Sequence, residues 1–233
     1  MAEVNIGGGT GGIVFDDPVS SLDHKRREKV AVRLVKEARK RQVIIFTHDI
    51  YFLSVLIDEA NQVGVFCATQ SLSRRPEGYG VADPDIPFDA QGTKSRVGVL
   101  RNMQQQIAKL YKQGNDPEHK KQTVDAYRQL RNAWERAVEE ILFRSVVTRF
   151  RKGISTKLLA GVVVEDADYA LIEGAMTKCS NYTHDPALLG GMAIPAPDEL
   201  LGDIDKLEQW RLEVEKRSDQ ISKKRKTDKP GTG

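Results

Sequence analysis

The sequence contains no apolar run near the roughly 20 residues that a membrane helix needs. Its opening, MAEVNIGGGTGG, has no basic segment followed by an apolar one. A soluble, cytoplasmic protein without membrane partners is therefore expected. Cysteine is scarce: Cys67 and Cys179 are the only two among 233 residues and lack C-x-x-C spacing. They read as reduced thiols rather than a disulfide framework. Aromatic residues make up 6% of the chain, so no base-stacking platform is advertised. A formal net charge of +3, from 36 basic and 33 acidic side chains, is too mild to argue for nucleic acid by itself. What is present suits a globular chain with a core, since 39% of residues are hydrophobic and 30% charged.

Along the chain, residues 1–12 are Gly-rich and read as a flexible start. Residues 13–15 form a short apolar run consistent with a buried parallel strand. A helix is predicted over 23–41, capped by Asp23, with Val30, Leu34 and Ala38 on one face and a solvated charged face at residues 24–29. A β-branched strand follows at 43–46, then a helix over 50–61 and a third strand over 64–70. Strand, helix and strand in that order imply a parallel α/β unit over 13–72. Residues 73–92 carry Pro and Gly and read as a loop. From 93 to 216 the pattern is helical, with helices predicted at 93–113, 117–151, 165–180 (with Asp166 as a cap) and 197–216. The basic tail, residues 217–233, reads as disordered.

The chemistry concentrates in IVFDDPVSSLD, residues 13–23. An apolar strand ending in two carboxylates is the Walker B arrangement, placed at the C-terminal edge of a parallel sheet where α/β folds bind ligands. In that arrangement Asp16 holds Mg²⁺ and Asp17 orients the attacking water. Asp17 stands where many such ATPases carry the longer Glu. Ser21 and Asp23 follow at the spacing of a D-loop, the segment that crosses a dimer interface. One helix and one strand later His48 ends the second strand, where a neutral imidazole can donate a hydrogen bond to the γ-phosphate.

These stretches, with QVIIFTHDIYFL, resemble the C-terminal half of an ABC/SMC-like AAA-family ATPase. FDDPVSSLDH in particular is similar to the RloC/PrrC-type proteins. The match covers residues 13–56, with LRNAWERAVEEIL and MTKCSNYTHDP weaker echoes further on. The resemblance implies a partial parallel P-loop-NTPase sheet, the C-terminal lobe, followed by a mostly α-helical region. It implies ATP and Mg²⁺ as cofactors, and a role in DNA or RNA processing or phage defence. The phosphate-binding loop G-x-x-x-x-G-K-[ST] is absent: GGGTGG, GTKS and RKGISTK each fail the pattern, and no LSGGQ-like signature precedes residue 13. The chain by itself is thus expected neither to bind ATP tightly nor to hydrolyse it. The partner would be a P-loop-bearing half or a homodimer, with DNA or RNA as a further candidate.

Two other functions compete. One is a non-catalytic module that docks on an ATPase partner or nucleic acid. The other is a small helical nuclease using His184 as acid or base, with Arg131, Asn132, Glu135, Cys179, Tyr182 and Asp185 nearby in the pattern. A bland alternative has His184 and Asp185 ending a helix, with Trp134 and Tyr182 in the core. Cys179 and His184 lack the further ligands a zinc site needs.

Overall fold

The computed structural model describes residues 11–76, 78–83, 86–148, 153–183 and 194–227. The chain is mixed α/β and divides into two compact units, Met1–Ala90 and Gln91–Gly233.

In the first unit, β1 (Ile13–Asp16) pairs in parallel with β2 (Val43–Phe46), Ile13 opposite Val43 and Asp16 opposite Phe46. Between them runs α1 (His24–Ala38), and α2 (Ile50–Val63) follows. Asp23 caps α1 as its sequence position suggests, its Oδ1 accepting the Arg26 N–H at 2.9 Å. The strands alternate. Phe15, Val43 and Ile45 pack against a core of Val19, Ala31, Leu34, Val35, Phe52, Leu56 and Ala60. Val14, Ile44 and Phe46 point the other way and are 60%, 41% and 49% exposed. The helices therefore cover one face of the pair only.

Several boundaries differ from the sequence reading. No strand forms over residues 64–70. Gly64 takes a left-handed φ of 69°, and the Val65 N–H returns to the Ala60 carbonyl at 2.9 Å, closing α2 with a Schellman turn. Val65 joins the core cluster while Phe66 is 91% exposed, so the apolar residues here serve a helix end. The segment expected as a loop instead forms an antiparallel hairpin, β3 (Ser71–Arg75) with β4 (Gly78–Asp83). An Arg75–Asp83 ion pair and the Arg74 guanidinium, 4.8 Å above the Tyr79 ring, link its strands.

The second unit is helical: α3 (Thr93–Lys112), α4 (Asp116–Ala137), α5 (Asp166–Thr183) and α6 (Pro197–Thr227). The predicted helix 117–151 stops early. After Ala137 the backbone widens into a π turn, Val138–Leu142, and then leaves the helix with Arg144 and Ser145 at φ 49° and 54°. Asp166 stands inside the first turn of α5 and is not its cap; Asp168 Oδ2 accepts the Glu165 N–H at 2.8 Å instead. The tail expected as disordered from residue 217 continues α6 to Thr227, because Val214 and Ser218 are still buried and Arg225 donates to the Leu159, Ala160 and Val162 carbonyls. Residues 228–233, like 1–10, lie outside the described residues. The core holds Tyr127, Leu130, Trp134, Leu200, Ile204 and Leu207, with the Trp134 and Trp210 rings 5.3 Å apart.

Into this core α6 sends Asp203, which is 8% exposed. Its carboxylate accepts from Tyr127 Oη at 2.9 Å, Lys206 Nζ at 3.0 Å and Lys178 Nζ at 2.5 Å. Burial alone would raise the Asp203 carboxyl, but the hydrogen bonds from Lys178, Lys206 and Tyr127 outweigh it and hold the group below its ordinary value. A depressed acid contributes stability that is present above its unfolded value and lost as pH falls through the folded one. Both tryptophans belong to this unit, so tryptophan fluorescence follows its unfolding. Urea titration at neutral pH should show Asp203→Asn destabilised by about 1–3 kcal/mol. The gap from wild type should close as pH drops below the carboxylate range, and a gap independent of pH would refute the charged cluster.

Candidate functional site

The β1 and β2 ends lie side by side because the pair is parallel. Asp17, just past β1, takes a φ of 41°, in the left-handed region that Asp tolerates better than most residues. Its N–H donates to the Phe46 carbonyl at 2.8 Å, adding one rung beyond the strand. The side chain thereby faces the end of β2. Asp17 Oδ2 lies 3.1 Å from His48 Nδ1, and Thr47 Oγ1 donates to Asp17 Oδ1 at a long 3.4 Å. Asp17 is mostly buried, with a side chain 25% exposed, whereas the imidazole is 82% exposed.

Three residues that the sequence reading passed over complete the site. Thr47 Oγ1 accepts the Asp49 N–H at 3.1 Å, and Asp49 Oδ1 caps α2 through the Phe52 N–H at 3.0 Å. Asp49 Oδ2 pairs with Arg27, whose Nε donates to the Leu22 carbonyl at 2.8 Å. Arg27 is thus not part of a solvated face: it is 21% exposed and ties the loop after β1 to the turn after β2. The capping role of Asp49 was readable, since Asp before an apolar helix start is a cap signal. Arg27 gave no such signal, because its partner is 22 residues away.

The remaining site candidates are more dispersed. Asp16 is exposed on the same strand face as Val14, and Ser21 is exposed in the loop. Asp23 is exposed too, but its carboxylate already caps α1 and lies 3.8 Å from Arg26. No group of three or more His, Cys, Asp and Glu side chains suited to a metal occurs among the described residues. No phosphate cradle forms at GTKS either. The α3 N-terminus beside Gly92 is filled by Glu140, whose Oε2 accepts from Thr93 N at 2.8 Å and Thr93 Oγ1 at 2.9 Å.

The helical candidates take structural positions. Arg131 and Glu135 face each other at 3.8 Å along α4, and the Asn132 carbonyl accepts from Arg96 at 2.8 Å. Cys179 is buried, which pushes its thiol up to about 12, out of nucleophile range. Tyr182 packs on Tyr127 with ring centroids 4.6 Å apart. His184 and Asp185 lie outside the described residues. No described helix is long and apolar enough to cross a membrane.

Comparison with protein-family models, curated proteins and solved structures finds no match to the chain. The functional reading rests on the residues themselves.

The Arg27–Asp49 pair gives the first test of the site's construction. Half-buried charge pairs couple more strongly than exposed ones, so a double-mutant cycle of Arg27→Gln and Asp49→Asn should return about 1–3 kcal/mol. Hydrogen exchange at the Phe52 amide should speed up in Asp49→Ala, which removes the cap. A coupling near zero would mean that the two segments are held by packing alone.

Proposed function

We propose that the first unit is the C-terminal lobe of an ABC/SMC-like P-loop ATPase and that it works only with a P-loop supplied by a partner. The observation that carries this reading is the meeting of Asp17 and His48, 3.1 Å apart, at one edge of a parallel strand pair. The parallel pairing brings the two strand ends level, and the side chains it brings together there are a carboxylate and an imidazole. Their convergence is what a site handling the terminal phosphate and its attacking water requires.

In this reading Asp16 serves the metal and Asp17 places the water. His48 reaches the γ-phosphate, while Ser21 and Asp23 belong to the loop that contacts a second copy or partner. Mg²⁺ is held by one or two carboxylates together with water and phosphate oxygens rather than by an all-protein cage. An exposed carboxylate at a strand end, Asp16, fits that demand. When bound, Mg·ATP supplies the polarised phosphoryl group. No phosphate cradle is found among the described residues, which is why the reading requires a partner.

The Asp17–His48 pairing refines the division of labour. His48 turns Nδ1 toward the Asp17 carboxylate, which leaves Nε2 as the nitrogen for substrate. Neutral, Nε2 accepts a proton from water; protonated, it donates to a phosphate oxygen. The simple picture of a neutral imidazole donating to the γ-phosphate requires the pair to open. With the pair closed, Asp17 orients His48 as well as the water.

The exposed apolar face of Val14, Ile44 and Phe46 supports a second reading, a non-catalytic module that docks on an ATPase partner. The two readings part in one experiment. The chain is mixed with a P-loop-bearing partner, and Mg·ATP binding and hydrolysis are measured for wild type and Asp17→Asn. The ATPase reading expects hydrolysis only in the mixture, and a loss of about 100-fold or more in kcat for Asp17→Asn with KM little changed. Partner binding with equal kcat in both proteins would leave the docking module. Hydrolysis by the chain without a partner would overturn the half-site.

A further inference from the structure

The second unit holds a feature that neither phosphate chemistry nor core packing explains. Helices α5 and α6 run antiparallel across α4 and are tied to one another at two places by polar side chains. At one end Asp168 accepts from Trp210 Nε1 at 2.9 Å and from Arg217 at 2.5 Å. At the other, Lys178 reaches Asp203 at 2.5 Å and Glu199 at 2.7 Å. Between the ties a cavity of about 200 Å³ opens, floored by Tyr127, Leu130 and Trp134 and walled by α5 and α6.

Two details are poor choices for stability. Gly174 lies in the interior of α5 on the cavity wall, and a Cβ placed there would meet no atom within 4 Å. Glycine is among the worst residues for a helix interior, and Gly174 is exposed, so a larger side chain would strengthen the helix without displacing core atoms. The second detail is the buried Asp203 cluster at the cavity's end. Joining two helices through a buried carboxylate is weak evidence for stability, because apolar side chains of similar volume usually serve as well or better.

The hydrogen-bonding capacity left over at this end is mostly donor, since Asp203 has accepted three of its roughly four possible bonds. Asp203 uses Oδ1 for Lys206 and Oδ2 for Tyr127 and Lys178. Each ammonium has three N–H donors and no acceptor. Lys178 spends two of them on Glu199 and Asp203, and Lys206 spends one on Asp203. What remains for a ligand is chiefly ammonium donor capacity beside an apolar, aromatic floor. A cavity of 150 Å³ suffices for a benzene ring, so this one has room for a single ring and a small head group.

We propose that the α5–α6 cavity is a binding site for a small aromatic carboxylate, its ring on Tyr127, Leu130 and Trp134 and its carboxylate on the Lys206 and Lys178 ammonium groups. The site is independent of the phosphate chemistry assigned to the first unit, and its test needs no nucleotide.

The probes are benzoate and phenylacetate, with toluene as the analogue lacking the head group, titrated into the full chain labelled for indole N–H resonances. Benzoate or phenylacetate should shift the Trp134 indole resonance saturably. Gly174→Leu should weaken that binding by about tenfold or more by occupying the cavity, and should melt at the same or higher temperature. Lys206→Met, which keeps the stem and deletes the donor, should weaken the carboxylates by about tenfold and leave toluene unchanged. Two results would overturn the proposal. One is no saturable response to either carboxylate in the wild type. The other is an affinity unchanged in Gly174→Leu while that variant remains folded.

Discussion

The parallel, in-register pairing of β1 with β2 is the constraint on which the first unit depends. Strands that run the same way end at the same edge, and pairing Asp16 with Phe46 puts the residues that follow each strand level with one another. Asp17, Thr47 and His48 meet for this reason and no other. A slip of one residue would move one strand end by about 3.3 Å and turn its side chains to the opposite face. An antiparallel hairpin would place the two ends at opposite edges. Burial constrains the register: Phe15, Val43 and Ile45 face the α1–α2 core, and a one-residue slip of either strand would turn its members away.

That arrangement has a cost, visible on the other face. Parallel sheets are ordinarily covered on both sides, and two strands make a marginal sheet. Here α1 and α2 cover one side, while Val14, Ile44 and Phe46 stay exposed. Polar ties supply part of the rigidity that a second apolar layer would give. Arg27 holds Leu22 and Asp49 together, and Asp49 holds the first turn of α2. The left-handed turn at Asp17 survives because its N–H is bound to Phe46 and its carboxylate to the end of β2. Alone it would relax, and the carboxylate would leave His48.

Much of this was legible before any coordinates. The apolar runs at 13–15 and 43–46, the Asp23 cap and the intervening helix are local signals with local causes. Asp17 and His48 were readable as a pair because a strand–helix–strand order implies a shared edge. The hairpin at 71–83 was not, since SLSRR and GYGVAD alternate weakly and Pro76 with Gly78 looks like loop chemistry. The early end of α4 was hidden for a different reason. Its apolar stripe continues past Ala137 through Ile141 and Leu142, which stay buried, while the backbone changes from α to π. Periodicity reports which residues are buried, not which hydrogen bond the backbone makes. The extension of α6 was masked by composition, because a run of Lys and Arg reads as solvated even when one of its members, Arg225, is anchoring a turn.

The two units use buried charge in different ways. Arg27 and Asp49 are a single pair whose lost partner would leave one half-buried charge, so the pair resists change as a unit. Asp203 instead gathers three donors from three helices: Tyr127 from α4, Lys178 from α5 and Lys206 from α6 itself. Apolar contacts pull helices together wherever surfaces meet, whereas a directional hydrogen bond holds them at a set separation. With a second tie at Asp168, Trp210 and Arg217, α5 is fixed at two points along its length, and the stretch between can stand clear of α6 without sliding. The charged cluster therefore sets the separation of the helices as well as contributing stability while Asp203 is ionised.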